Sequence, residues 1–94
     1  MLKVQVKAKH IKNGVCASTS SCALALAVLD AIPSAVSVII LNDIAITHDD
    51  GGYTYYGITR RASNFIDTFD WQEYSDKRVK PTSFVFKQHE DHIY

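Results

Sequence analysis

No apolar run in this sequence is long enough to cross a bilayer. The longest, Cys22 to Leu29, falls far short of the roughly 20 residues that a membrane helix needs, and a buried core helix accounts for it better. An excess of charge of one sign is also missing. Ten Lys plus Arg balance ten Asp plus Glu, so no global field draws the chain to nucleic acid or to an anionic membrane, and neither is an expected partner. Cysteine is sparse: Cys16 and Cys22 lack C-x-x-C spacing, which favours free thiols in a reducing compartment over a disulfide. The opening Met1-Leu2-Lys3-Val4 has neither the basic start nor the continuous apolar segment of a secretory signal, so a cytoplasmic location is expected. Internal repeats and low-complexity segments are absent.

What is present describes one globular domain, residues 1–94. Hydrophobic residues make up 47% of the chain and charged residues 21%, enough apolar content to offset the entropy of ordering it. Leu2, Val4, Val6 and Ala8 alternate with Lys3, Gln5, Lys7 and Lys9, the period of a half-buried strand over 2–9. Asn13-Gly14 then reads as a turn or a single helical turn, because both residues tolerate positive φ. Ser18-Thr19-Ser20-Ser21 supplies hydroxyls that can cap a helix over about 21–32, stopped by Pro33. This helix is apolar nearly all round and needs cover on every side, either from its own chain or from a second subunit.

Residues 36–41, rich in β-branched side chains, and 44–47 predict a hairpin. His48-Asp49-Asp50-Gly51-Gly52 predicts a tight turn into a third strand over 53–58. Thr59 can cap a second helix whose Ala62, Phe65, Ile66 and Phe69 recur at helical spacing. Residues 71–80 read as a polar loop, Thr82 to Phe86 as a last strand, and about 88–94 as a frayed tail. The order β-α-β-β-β-α-β implies an α+β fold, a largely antiparallel sheet of about five strands packed with two helices.

Four groups of side chains are candidate sites. Lys9, His10 and Lys12, with Ser20 and Ser21 at the helix start, could hold an anion, although simple capping by Ser20 or Ser21 is the plainer reading. Cys16 beside His10 or His48 has the residue types of an activated thiolate, but no cysteine-enzyme signature surrounds it. His89 and His92 with Glu90 or Asp91 have a metal-ligand spacing too local to complete a site, so neither metal nor other cofactor is expected. Tyr53, Tyr55, Arg60, Arg61, Trp71 and Tyr74 are the residue types that supply binding energy at protein contacts. Tyr56 falls on the opposite strand face from Tyr53 and Tyr55.

The series His10-Ile11-x-x-Gly14, Cys22-Ala23-x-Ala25-Leu26-Ala27-x-x-Asp30, Val36-Ser37-Val38, Phe65-Ile66-x-x-Phe69-Asp70 and Pro81-x-x-Phe84-x-Phe86 covers nearly the whole chain. It resembles a group of small uncharacterised phage and prophage proteins, many of which carry Cys-Pro where this chain has Cys22-Ala23. The resemblance implies a small protein made in an infected bacterium and brings no activity with it. Without a complete catalytic set, the expectation is a non-enzymatic phage accessory protein that binds and modulates a host protein, such as a defence or regulatory component, with homodimerisation. The alternatives are a binder that sequesters a nucleotide-like signal and a virion accessory subunit.

Overall fold

The computed structural model describes residues 1–72 and 78–88. Its elements run β1 (Leu2–Val6), α1 (Ala8–Asn13), α2 (Ala23–Ala31), β2 (Ala35–Ile40), β3 (Asp43–His48), β4 (Tyr53–Gly57), α3 (Arg60–Trp71) and β5 (Thr82–Phe86). The expected α+β order is present, with α1 as a short additional helix where the sequence reads as strand and turn.

β1 stops at Val6 although the alternation runs on to Lys9. The cause is local: His10 turns its Nδ1 back to accept the Lys7 N–H at 2.9 Å. That bond satisfies a donor at the start of α1 and ends the strand. Gly14 follows with φ −69°, so the positive φ expected of an Asn-Gly turn is not what it supplies. Ala17, at φ 60°, is the left-handed residue of this loop. Gly14 supplies space instead. A Cβ there would lie 2.7 Å from the Ala23 backbone nitrogen, 2.9 Å from the His10 carbonyl oxygen and 2.9 Å from the Phe69 ring.

α2 starts two residues later than the serine cluster suggests. Cys22 is its N-cap through the backbone alone, accepting the Leu26 N–H at 3.0 Å, and no side chain caps the helix. Neither Ser20 nor Ser21 therefore has the expected capping role. Ser18 Oγ accepts the Ser21 N–H at 3.1 Å, and the Ser21 carbonyl accepts the Val15 N–H at 2.8 Å, so these groups shape a loop. At the other end Ile32 is extended, as a residue before proline must be.

β1 pairs antiparallel with β5, Val4 opposite Phe84, and β2-β3-β4 form an antiparallel meander. The turn after His48 forms as expected, with Gly51 at φ 87°. The two sheets meet where the Gly57 N–H donates to the Lys87 carbonyl at 3.0 Å and Tyr56 bridges to Gln88. Gln88, the expected start of a frayed tail, is thus held, while 89–94 lie outside the described residues. Across this junction β1 and β2 are the outermost strands, and both pack on α2. The sheet curls around that helix, with α1 and α3 also against it. Leu24 and Val28 of α2 are fully buried among Val4, Val6, Ile44, Ile46, Phe69 and Phe86. Most of the cover that α2 needs comes from its own chain, while Leu29, Asp30 and Ala31 in its last turn stay exposed.

Thr59 caps α3 as expected, its Oγ1 accepting the Ala62 N–H at 3.1 Å. Among the described residues no helix is long and apolar enough to cross a membrane. Replacing Gly14 by Ala should lower stability by about 1–3 kcal/mol, because two of the three clashing atoms are backbone and cannot rotate away. The readout is the urea midpoint of the full chain. An unchanged midpoint would mean that α1 and α2 are not held this close.

Candidate functional site

Two surfaces bring chemistry-bearing side chains together. The first is a cleft of about 470 Å³ between β1 and α2, with Lys3, Gln5 and Lys7 on one side and Ala27, Asp30 and Ala31 on the other. His10 closes it from below. Its residue is 4% exposed, and with Nδ1 accepting the Lys7 N–H, the ring proton sits on Nε2 and is donated to Asp30 Oδ2 at 2.6 Å. Lys9 Nζ reaches the same oxygen at 3.3 Å. The hydrogen bond from His10, and then Lys9, hold the Asp30 carboxyl below its ordinary pKa, against a smaller opposing effect of burial. Lys3 and Lys7 have no carboxylate partner among the described residues.

The second surface is the outer face of the meander. Ile39 pairs with Ala45 and Ala45 with Tyr55, while Thr47 pairs with Ser37 and Tyr53, so these side chains share one face. Tyr53 is 66% exposed, Leu41 68% and Ile39 42%. Beside Ile39 and Leu41 lies a shallow depression of about 250 Å³ lined by these two residues with Asn42, Asp43, Ala45 and Tyr55. Tyr56, on the inner face, packs against the core, as the strand period requires.

The aromatic and basic residues singled out in the sequence do not form one patch. Arg61 is committed to the fold: its Nη1 donates to the Ser83 carbonyl at 2.7 Å, its Nη2 to Thr82 Oγ1 at 2.6 Å, and its guanidinium lies 4.5 Å from the Phe84 ring centre. Arg60 is exposed at the start of α3 and Trp71 at its end, about 16 Å apart at 1.5 Å per residue. Tyr74 lies outside the described residues. Among the described residues of this group only Tyr53 and Tyr55 sit together, and Ile39 and Leu41, not singled out in the sequence, share a depression with Tyr55. Their signal was the unbroken apolar run Val38-Ile39-Ile40-Leu41, since a strand with one wet face should alternate.

The five residues proposed for an anion are also divided. Lys9 and His10 meet Asp30 in the last turn of α2, whereas Ser20 and Ser21 precede its first turn. Among the described residues no imidazole is left to activate Cys16. Its Sγ donates to the Phe69 carbonyl at 3.2 Å, His10 is engaged at both nitrogens, and His48 lies between Ser34 Oγ at 2.7 Å and Thr54 Oγ1 at 2.6 Å. Burial pushes the Cys22 thiol pKa up, consistent with a small apolar group in the core. His89, Glu90, Asp91 and His92 lie outside the described residues.

Set beside known proteins, the chain matches no family model, and no curated protein or solved structure shows significant similarity to it.

The His10–Asp30 pair has a pH signature. A carboxyl held below its unfolded pKa stabilises the fold above the ordinary Asp range, near 3.9, and that contribution is lost as pH falls through the lower folded value. The stability difference between wild type and Asp30→Asn should therefore be largest near neutrality and shrink on acidification, measured by urea unfolding across pH. A difference that stays constant into strong acid would remove the pair from the stability balance.

Proposed function

We propose that the protein is a non-enzymatic phage accessory protein that acts in the bacterial cytoplasm by binding a host protein through the outer face of β2-β3-β4. The observation that carries this reading is the exposure of Ile39, Leu41 and Tyr53 on this face, with half-buried Tyr55 beside them. Small soluble proteins seldom leave contiguous large apolar side chains open unless something docks there. Tyrosine adds rigid contact area with a polar tip, suited to the centre of an interface. The phage setting rests on the resemblance of the His10-to-Phe86 pattern. Sequestration of a nucleotide-like signal by Lys9, His10, Lys12, Ser20 and Ser21 has less support, because Lys9 and His10 meet Asp30 in the last turn of α2 while Ser20 and Ser21 precede its first turn.

The test is parallel affinity capture from host lysate with tagged wild type and a Leu41→Ser/Tyr53→Ser variant, both first shown to melt alike. A host protein enriched by wild type should be reduced about tenfold or more by the variant, the loss of a contact worth about 1.4 kcal/mol. Identical capture by both proteins would remove this face from the interface. If sedimentation instead shows a wild-type dimer and a variant monomer, the occupant is a second copy of the chain.

A further inference from the structure

The cleft between β1 and α2 has features that the outer face does not share. Among the described residues β1 has a strand neighbour on one side only, β5, and the cleft lies on its other side, against the last turns of α2. Lys3, Gln5 and Lys7 stand at alternate positions along this edge, so Lys3 and Lys7 are about 13 Å apart at 3.3 Å per residue. Opposite them Ala27 and Ala31 are one helical turn apart, and their short side chains leave the cleft its depth. Asp30 does not cancel the lysines, since its carboxylate is already held by His10 and Lys9.

We propose that this cleft is a second binding site, taking an extended acidic segment of a partner protein as an added strand on the free edge of β1. The edge supplies main-chain donors and acceptors, and the alternating side chains select the sequence. Carboxylates four residues apart on the added strand meet Lys3 and Lys7. Apolar side chains on the strand's other face fill the space over Ala27 and Ala31. A second copy of β1 is a poor occupant, because antiparallel self-pairing centred on Gln5 would set Lys3 against Lys7 of the other chain at both ends. Those lysines guard the edge against self-association and at the same time choose an anionic strand.

The probe is a fluorescent peptide with glutamates at alternate positions, titrated into the full chain by anisotropy. Saturable binding that weakens with salt is expected, with amide shifts confined to β1 and the last turns of α2. Charge reversal in Lys3→Glu/Lys7→Glu should weaken it about tenfold or more, and N-methylation of alternate peptide amides, which keeps every charge but blocks strand pairing, should do the same. Both lysines are exposed, and Lys3→Gln/Lys7→Gln serves as the milder variant if reversal lowers the melting temperature. Absence of binding overturns the proposal, as does binding that survives charge reversal. Equal binding of the N-methylated peptide would leave charge attraction without an added strand. Displacement by inorganic phosphate would reassign the cleft to a small anion. Failure here leaves the outer-face reading untouched, because the two sets of variants share no residue.

Discussion

The contact between α1 and α2 is the constraint on which the rest of the structure depends. At one end of the pair, Gly14 lets the backbone of α1 approach the first residue of α2, where any side chain would collide with Ala23. At the other end His10, in α1, donates to Asp30, in the last turn of α2, and accepts from Lys7 behind it. The two helices therefore lie antiparallel and fixed at both ends. Phe69 closes over Gly14, Cys16 Sγ donates to the Phe69 carbonyl, and the Ala17 N–H donates to Asp70 Oδ1 at 2.8 Å, which ties the end of α3 to the same junction. A buried imidazole without its carboxylate would leave a donor unpaired in the interior, so the hydrogen bond and the close approach support each other.

Once α1 is in place, an all-apolar α2 is no longer a liability. It becomes the axis around which the two small sheets curl, with β1 and β2 on either side of it. The loop before α2 also contributes, since the Thr19 carbonyl accepts the Ile40 N–H at 2.8 Å and so occupies part of the exposed edge of β2. The edge of β1 has lysines where β2 has this loop. With the concave side filled, large apolar side chains remain open on the outer face of the meander, around Leu41 and Tyr53.

Much of this order could be read from the residues. Strand alternation in β1 and β5, the Asp-Gly turn, the Thr59 cap and the stop at Pro33 each act through neighbours in sequence, so local patterns report them. The pattern His10, Gly14, Ala23, Asp30, Phe69 and Asp70 was also visible, but its meaning was not, because those residues converge only through contacts between α1, α2 and α3. The same distance in sequence hid the fate of Arg61, which looks like a free cation beside Arg60 until β5 folds under it. Alternation ran past Val6 because the reach of His10 back to Lys7 leaves no periodic trace. Trp71 and Tyr53 were grouped by residue type, and the length of α3 places Trp71 far from Arg60.

The His10 clamp is the organising contact, and the ring itself can be read directly. A long-range proton–nitrogen NMR spectrum of the full chain at neutral pH distinguishes the two imidazole nitrogens. The structure requires an unprotonated Nδ1, accepting the Lys7 N–H, and a protonated Nε2 whose hydrogen exchanges slowly because it is bonded to Asp30. A ring protonated at Nδ1, or one averaging between tautomers as a solvated histidine does, would contradict the clamp and with it the packing of α1 on α2.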